Sequence, residues 1–402
     1  MSEPAPTLDD YRSVAPAGTV DIIRRLSERV RGRRLLQVST SREAGGVAEI
    51  LRRLVPLLEE SGVDARWETL DGDGAIPATT ARLHRALQGD EERLPPETFD
   101  EYRAFTRQRA AALSLTADLV ETHDALPAGL VEVRPQEGAW VWRCHLDVSR
   151  PQRRAWTFLR QYVVKFDAAV YSLPSFAQRL PIRQFLIYPS IDPLSDKNRE
   201  LPKGEIDAIL ARLGVPQDKP ILLQVARFDR FKDPLGVIDA YRLVKRQHDC
   251  RLVLVGGADT DDPEGVELSG EVHEAATQDP DLHVLDLPPQ ARVEVNALQR
   301  AAKIVFQKST REGFGLGVAE AMWKSKPVIG GFAGGITAQL FYGVTGYTVN
   351  SVEGAAFRAR QLLADPGLRE RLGAAAREHV RQNFLITRHL GDVLALTATL
   401  LR

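Results

Sequence analysis

Two glutamates, Glu312 and Glu320, enclose a glycine-rich segment in STREGFGLGVAEAMWKS, with seven residues between them. The apolar run before this segment and the helix-forming run after it predict a strand-to-helix junction. Glycines at positions 313, 315 and 317 would let the backbone come close to a ligand, and the N-terminus of the helix would favour an anion such as phosphate. The alternative is that these glycines only build a tight turn between strand and helix.

The spacing of the two glutamates excludes a glycosidase pair. Eight residues along a helix span about 12 Å, and an extended segment is longer, whereas the carboxyl groups of a retaining glycosidase lie roughly 5 to 5.5 Å apart. We therefore expect each glutamate to bind the hydroxyl groups of a different part of one long ligand. A sugar at Glu312 and a ribose at Glu320 would fit.

A second candidate for ligand binding is a pair of cations in VARFDRFKDP. Arg227 and Lys232 follow the apolar run ILLQVA, which predicts a buried strand. Cations at the carboxyl end of a parallel strand lie where open α/β sheets bind ligands. A planar guanidinium and a compact ammonium could together hold a diphosphate and neutralise it as it leaves. The alternative is surface ion pairing with Asp229 and Asp233.

The elements that carry these residues alternate between short apolar runs and amphipathic helices. In the first half, RRLLQVSTSREAGGVAEILRRLVPLLEESG predicts a strand, a glycine-containing loop and a helix. After a proline-rich linker at residues 187–206, the same alternation starts again. We predict an α/β protein with two doubly wound, Rossmann-like domains at residues 1–191 and 192–384, and a C-terminal helix at 385–402 that returns to the first domain.

Composition limits the classes of partner and the compartment. The 402 residues carry 53 basic and 54 acidic side chains, a formal net charge of −1, so nothing favours nucleic acid or an anionic membrane as partner. No apolar run reaches the roughly 18 residues of a spanning helix, and the first residues lack the order of a signal peptide, so we expect a cytoplasmic protein. Cys144 and Cys250 do not form a CxxC site or a disulfide framework, and we expect reduced thiols without a role.

Arg227, Lys232 and the two glutamates, in this order and on these elements, resemble the retaining glycosyltransferases of family 4. The resemblance covers nearly the whole chain after Arg33. It implies the GT-B arrangement, in which two Rossmann-like domains face each other across a cleft. It also implies that Arg227 and Lys232 hold the diphosphate of a nucleotide-sugar. Glu312 would then hold the donor sugar and Glu320 the ribose.

The same resemblance assigns roles to backbone groups. The turn at Phe314, Gly315 and Leu316 would contact donor hydroxyls and phosphate through its backbone. Gly45 and Gly46 resemble the glycine loop of the first domain that approaches the phosphates.

Three stretches of the first domain, GGVAEILRRLVPLLEESGVDARWE, THDALPAG and WVWRCHLDVS, are similar to the trehalose-forming synthases of that family. This similarity implies that His145 lies beside the anomeric carbon of the donor; the alternative is a histidine that is hydrogen-bonded at a strand end. His123 and Asp124 resemble a consecutive His-Asp motif of the family. Asp124 and Asp147 are the candidates for binding the acceptor. In the family, a proline and a glutamate commonly follow a second pair of glycines. This chain has Ile336 and Thr337 after Gly334–Gly335, so only backbone N–H groups remain there as candidates for contacting a ligand.

The resemblance implies UDP- or ADP-glucose as donor and glucose as acceptor, with trehalose as product and as substrate of the reverse reaction. No tightly bound cofactor and no metal site is expected, because two fixed cations serve the diphosphate. We interpret the acidic segment GGADTDDPEG as a solvated loop, and magnesium assistance stays open. A homodimer is an expectation from the family. Three alternatives stay open: a trehalose phosphorylase of the same fold, another family 4 hexosyltransferase, and a sugar-nucleotide binding module without turnover.

Overall fold

Apolar strands alternate with helices along the chain and form two parallel sheets of six strands each. The computed structural model describes residues 6–43, 45–71, 76–91, 93–257 and 263–401. One sheet lies in a unit formed by Met1–Ser190 and Phe384–Arg402, and the other lies in a unit formed by Ile191–Asn383. This arrangement confirms the predicted pair of doubly wound, Rossmann-like domains.

The first unit has its strands in the spatial order β2-β1-β3-β4-β5-β6. The strands are β1 (Arg34–Ser39), β2 (Asp64–Thr69), β3 (Leu119–His123), β4 (Ala139–Cys144), β5 (Ala168–Tyr171) and β6 (Arg183–Leu186). The helices before the second unit are α1 (Thr19–Ser27), α2 (Gly46–Glu60), α3 (Ile76–Leu87), α4 (Pro96–Ala112) and α5 (Arg153–Val163), with short 3-10 helices at Leu8–Ser13, Leu126–Val133 and Pro174–Phe176.

The second unit has the strand order β12-β11-β10-β7-β8-β9. Its strands are β7 (Ile221–Val225), β8 (Arg251–Gly256), β9 (Leu282–Asp286), β10 (Ile304–Gln307), β11 (Val328–Gly331) and β12 (Gly346–Val349). Its helices are α6 (Lys203–Arg212), α7 (Pro234–Lys245), α8 (Pro263–Thr277), α9 (Arg292–Ala301), α10 (Leu316–Trp323), α11 (Gly334–Gln339), α12 (Val352–Ala364) and α13 (Pro366–Asn383).

The last helix, α14 (Ile386–Leu400), belongs to the first unit, where it packs against α1 and α2. Ile386, Leu390, Val393 and Thr397 are all buried. Their spacing of three and four residues puts them on one side of the helix, so the amphipathic pattern explains the contact.

Burial on both sides of the sheets follows from the composition of the central strands. Every residue of β3 is buried, and so are five of the six residues of β1 and of β4. Strands of a parallel sheet covered by helices on both faces are expected to be apolar throughout. Polar residues that interrupt these apolar runs therefore need hydrogen-bond partners inside the protein.

Candidate active site

In the sheet of the second unit, β7 and β10 are neighbours at the point where the strand order changes direction. β8 and β9 continue from β7 on one side, and β11 and β12 continue from β10 on the other. The loops after β7 and β10 therefore leave the sheet side by side, where open α/β sheets bind ligands. A hydrogen bond of 2.8 Å from the Thr310 N–H to the Phe231 carbonyl joins the two loops.

An ion pair between Lys232 and Glu312 also connects these loops. Lys232 Nζ lies 2.6 Å from Glu312 Oε2, and both side chains are largely buried. The same oxygen accepts a hydrogen bond from the Ser309 hydroxyl at 3.1 Å and lies 3.5 Å from Gln307 Nε2. Within the described ranges no donor contacts Oε1 of Glu312. This oxygen is therefore able to accept a hydrogen bond from a ligand hydroxyl.

The glycine turn between β10 and α10 is packed against Glu312. Gly315 has φ +83°, and a Cβ there would lie 3.2 Å from Glu312 Cγ. The left-handed conformation and the close contact both favour glycine at this position. The Phe314 carbonyl accepts a hydrogen bond from Gln339 Nε2 at 2.6 Å. Since Leu316 begins α10, the turn predicted from the glycines is present and its shape is maintained by these contacts.

Backbone N–H groups at Gly334–Gly335 were expected to remain for a ligand, and for Gly335 this expectation is wrong. The Gly335 N–H donates to the Glu312 carbonyl at 3.1 Å. A Cβ at Gly335 would lie 2.2 Å from Phe314 Cα, so glycine is required for this close approach of two backbones. Gly335 thus holds the Glu312 segment in place.

Arg227 lies in the loop after β7 with its side chain 68% exposed. Its Nη2 is 3.2 Å from Asp229 Oδ2, which is the surface ion pair considered as the alternative. Asp229 also accepts the backbone N–H groups of Phe231 and Lys232 and so shapes the loop. The alternative also paired Asp233 with a cation of this loop. Asp233 instead accepts the Gly236 N–H as the N-cap of α7 and forms an ion pair with Lys308.

Glu320, the second glutamate, has partners different from those of Glu312. It is 1% exposed, with Oε1 2.9 Å from Lys197 Nζ and Oε2 3.4 Å from Gln299 Nε2. Lys324 lies beside it and donates to the Asn198 side chain at 2.8 Å and to the Glu320 carbonyl at 3.2 Å. Burial lowers the pKa of Lys324 to about 7. Both carboxylate oxygens that were expected to meet a ribose are therefore engaged by protein groups.

The sheet of the first unit has its own change of direction, between β1 and β3. The loop after β1 leads into α2 through Gly45 and Gly46, which are exposed. Gly45 has φ +91°, and a Cβ there would meet nothing within 4 Å. This leaves space for a ligand to approach the backbone, and the role of the two glycines stays a prediction.

The adjacent ends of β3 and β4 bring two histidines into contact. His123 Nδ1 lies 2.9 Å from His145 Nε2, and His123 Nε2 lies 2.7 Å from Gln37 Oε1. Burial lowers the pKa of both imidazoles well below the ordinary value, and the positive charge of Arg143 adds to this effect. Both rings are therefore neutral at pH 7.

Asp124 holds the backbone of the same histidine. Its Oδ1 accepts the His145 N–H at 2.7 Å, and its own N–H donates to the Arg143 carbonyl at 2.7 Å. Burial raises the pKa of Asp124 to about 7, although the hydrogen bond from His145 and the charge of Arg143 act in the opposite direction. Asp147 stabilises the turn that follows His145, because its Oδ1 accepts hydrogen bonds from the N–H and the hydroxyl of Ser149.

A buried ion pair joins β3 and β4, the strands whose ends carry the histidines. Arg143 Nη1 is 3.5 Å from Glu121 Oε1, and both side chains are almost completely buried. Arg143 also donates to the Ile187 carbonyl, and His389 on α14 lies 2.8 Å from the Ser190 hydroxyl. The segment that leaves the first unit is thus fixed to β4 and α14.

Three glutamines next to these sites were not identified from the sequence. Gln37, Gln224 and Gln307 are each at most 4% exposed and lie in the strands that border the two changes of strand order. Gln37 contacts His123, Gln224 donates to the Lys232 carbonyl at 2.9 Å, and Gln307 lies beside Glu312. The available signal was an amide in each of the apolar runs LLQVS, LLQVA and IVFQKS, because a buried polar group needs a partner.

A search of the described ranges finds no group of three or more His, Cys, Asp or Glu residues that could hold a metal ion. Residues 258–262 of the acidic segment lie outside the described residues. Cys144 and Cys250 are both buried and unbridged.

Comparison with known proteins places the chain in a family. Residues 37–178 match the model "Trehalose synthase, N-terminal domain", and residues 205–379 match "Glycosyl transferases group 1". The chain is 41% identical to the trehalose synthase of Pyrococcus horikoshii, covering 98% of this chain and 96% of the relative. It is 40% identical to the trehalose synthase of Rubrobacter xylanophilus, covering 98% and 97%. The chain belongs to the trehalose synthase family of glycosyltransferases.

The chain is also similar to a more distant relative in sequence and to solved structures of the same fold. The trehalose phosphorylase of Pleurotus pulmonarius is 26% identical over 93% of this chain and 58% of its own length. Anabaena Alr3699/HepE in complex with UDP and glucose superposes with a TM-score of 0.67 at 16% identity, covering 92% of this chain and all of the other. An α,α-trehalose-phosphate synthase (UDP-forming) from Burkholderia vietnamiensis gives 0.70 at 15% identity, covering 91% and 98%. The solved structures confirm the predicted fold, and the family models and the trehalose synthases confirm the predicted family.

Proposed function

We propose that this protein is a retaining hexosyltransferase that makes α,α-trehalose from a nucleoside-diphosphate glucose and free glucose, and that it also catalyses the reverse reaction. The observation that carries the proposal is the Lys232–Glu312 pair at the change of strand order in the second sheet. A cation and a carboxylate oxygen able to accept from a ligand lie side by side there. A cation can pair with the phosphate groups of such a donor, and a carboxylate oxygen can accept hydrogen bonds from the hydroxyl groups of its sugar.

The donor side of the proposed site lies in the second unit. Glu312 Oε1 accepts hydrogen bonds from hydroxyls of the donor glucose, and Lys232 and Arg227 hold the diphosphate. Glu320 binds the ribose after Lys197 moves or shares the carboxylate. The Anabaena complex with UDP and glucose and the UDP-forming synthase support a nucleotide-linked donor. We propose no tightly bound cofactor.

The acceptor side of the proposed site lies in the first unit. Asp124 and Asp147 contribute hydrogen bonds to the acceptor glucose, and His145 supports the positive charge that develops at the anomeric carbon. Gly45 and Gly46 approach the phosphates through their backbone. The exposure of both glycines and the contact between Asp124 and His145 support these roles.

Transfer with retention needs no covalent sugar intermediate in this site. The bond between C1 of the donor glucose and the diphosphate oxygen breaks, and a bond to the acceptor hydroxyl oxygen forms on the same face of C1. The proton of that hydroxyl passes to the departing diphosphate oxygen. Lys232 and Arg227 stabilise the negative charge that develops there, and such electrostatic stabilisation is usually the largest contribution to catalysis.

A trehalose phosphorylase is the second candidate, and one observation favours it. Both oxygens of Glu320 are engaged by Lys197 and Gln299, which leaves the expected ribose ligand occupied. A phosphorylase transfers glucose to inorganic phosphate and has no ribose to bind. Trehalose phosphorylases are also among the relatives of the chain.

The deciding experiment is the reverse reaction. The protein is incubated with trehalose and one of three acceptors: UDP, ADP or inorganic phosphate. Free glucose with UDP-glucose or ADP-glucose supports the synthase, and free glucose with glucose 1-phosphate supports the phosphorylase. No glucose with any acceptor, together with measurable binding of UDP, would indicate a binding module. The Glu312→Ala variant serves as the control for contaminating enzymes.

The cytoplasmic location and the homodimer stay predictions. Among the helices in the described residues, none combines the length and apolar character needed to cross a membrane.

A further inference from the structure

His145 is held at two points by two consecutive residues. Its ring contacts the ring of His123, and its backbone N–H donates to the side chain of Asp124. Neighbouring side chains of an extended strand point to opposite faces, so they cannot normally reach the same residue. Asp124 has φ +63°, a left-handed conformation that ends the alternation directly after β3. This conformation allows both side chains to contact His145.

The ring contact belongs to a chain of three side chains that begins at Gln37. Gln37 lies in the middle of β1 and is 0% exposed, and His123 is 3% exposed at the end of β3. Gln37 Oε1 lies 2.7 Å from His123 Nε2, and His123 Nδ1 lies 2.9 Å from His145 Nε2. His145 itself is only partly buried. The chain therefore runs from the core of the sheet to the surface.

The chemistry of the first member determines the proton positions in the others. The amide oxygen of Gln37 faces His123, and Gln37 Nε2 has no partner in the described residues. An amide oxygen only accepts hydrogen bonds, so in this orientation the proton between Gln37 and His123 lies on His123 Nε2. A neutral imidazole carries one ring proton, so His123 Nδ1 is an acceptor and His145 Nε2 must donate to it. His145 Nδ1 then has a lone pair. In the described residues no hydrogen bond reaches this nitrogen.

The surroundings keep both rings neutral. Burial disfavours the charged form of both rings, and the positive charge of Arg143, which pairs with Glu121, adds to this effect. The carboxyl group of Asp124 contacts the backbone N–H of His145. His389 on α14 is also buried, and burial lowers its pKa well below the usual range. When both rings are neutral, the hydrogen bonds among the three side chains all run in one direction. The amide oxygen of Gln37 sets this direction: His145 donates to His123, and His123 donates to Gln37.

We propose that His123, oriented by Gln37, is a positioning residue that keeps His145 in the tautomer protonated at Nε2, so that His145 Nδ1 accepts a hydrogen bond from a hydroxyl group of the bound hexose. The sugar contact rests on the proposed function. The tautomer does not, because it is set in the ligand-free protein. A neutral histidine that accepts from a hydroxyl group fixes the direction of that O–H bond without adding a charge to the site.

The test reads the tautomer directly. Protein labelled with ¹⁵N-histidine is examined by long-range ¹H–¹⁵N correlation spectroscopy at pH 7.5, and the His145 signals are assigned by comparison with His145→Gln. We expect one neutral pattern for His145, with the proton on Nε2. Gln37→Met removes the accepting oxygen at nearly constant volume and should produce a mixture of tautomers.

Kinetics separate positioning from a structural role. Gln37→Met should lower kcat on the order of five- to tenfold, the equivalent of one hydrogen bond, with an unchanged dissociation constant for UDP. The matched control is Thr122→Val. Thr122 is 0% exposed and precedes His123 on β3, and its hydroxyl has no partner in the described residues. This variant should leave both the tautomer and kcat unchanged.

Two results would overturn the inference. One is a wild-type His145 protonated at Nδ1, and the other is a His145 pattern that does not change in Gln37→Met. Because the spectra are recorded without substrate, a protein that forms no trehalose but shows the expected tautomers contradicts the proposed function alone. A protein that forms trehalose with the opposite tautomer contradicts this inference alone.

Discussion

Lys232 Nζ lies 2.6 Å from Glu312 Oε2, and this contact joins residues that are 80 positions apart in the sequence. The pair exists because β7 and β10 are neighbours in the second sheet and their following loops leave it together. Each partner sets the electrostatic surroundings of the other. A substitution of either residue therefore changes more than one hydrogen bond.

Glu312→Ala should lower turnover at least about a hundredfold, on the order of 3 kcal/mol, if the carboxylate orients the donor sugar. The measurement is trehalose formation from UDP-glucose and ADP-glucose at saturating glucose. The matched control is Glu378→Ala, which removes an exposed carboxylate paired with Arg381 on α13. Unchanged turnover in Glu312→Ala would remove this residue from the site.

Lys232→Met should lower kcat more than it weakens binding of the nucleotide-sugar, because the ammonium stabilises the charge that develops on the leaving diphosphate. Steady-state kinetics and calorimetric titration with the donor measure the two effects separately. Lys232→Arg, which keeps the charge, should recover part of the rate. Equal losses in rate and affinity would contradict the assignment to the leaving group.

Glu320→Gln tests whether a ribose is bound. The variant should weaken binding of UDP or ADP roughly tenfold, the effect of one hydrogen bond to a charged group, and should leave the use of inorganic phosphate unchanged. Glu267→Gln in α8 is a control on an exposed carboxylate. If UDP binds equally well to Glu320→Gln, the carboxylate serves only Lys197 and Gln299.

Asp124→Asn should remove a pH dependence of stability. Burial raises the pKa of Asp124 to about 7, whereas the unfolded chain titrates near the ordinary value of 3.8. Between these two values the folded protein holds a proton that the unfolded chain has lost, so this group lowers the stability as the pH rises from about 4 to 7. Asparagine tolerates the positive φ and still accepts the His145 N–H.

The free energy of unfolding in urea, measured from pH 4 to 8, checks this prediction. Relative to the wild type, Asp124→Asn should gain up to about 4 kcal/mol across that range, and most of the change should occur below pH 7. If Asp124 also acts on the acceptor as a carboxylate, kcat/KM of the wild type rises through pH 7. A difference in stability that does not vary with pH would show that Asp124 titrates normally.

Gly335→Ala should destabilise the second unit by about 2 to 3 kcal/mol, because the new methyl group would lie 2.2 Å from Phe314 Cα and would push the Glu312 segment away. Gly270→Ala is the matched control. Gly270 is exposed on α8 with nothing within 4 Å of the added Cβ, so this variant should be neutral or stabilising by up to about 1 kcal/mol. Equal melting temperatures for both variants would contradict the close packing at Gly335.

Strands with a run of apolar residues could be predicted from the sequence, whereas β6, which has no such run, could not. ILLQV and IVFQ become β7 and β10 because buried parallel strands are apolar on both faces. β6 has the sequence RQFL with three of its four residues exposed, and among the described strands it pairs only with β5. An edge strand of this kind is held by backbone hydrogen bonds, which leave no hydrophobic signal in the sequence.

The sequence by itself determined the two alternating α/β halves, the glycine turn at Gly315 and the types of residue that could bind a sugar diphosphate. These features depend on local periodicity, backbone conformation and side-chain chemistry. The tertiary structure decided which of those residues meet: Lys232 pairs with Glu312, Lys197 covers Glu320, and Gln37 reaches His145 through His123. The physical reason is strand order, because contacts between residues far apart in the chain form only where the sheet brings their strand ends together.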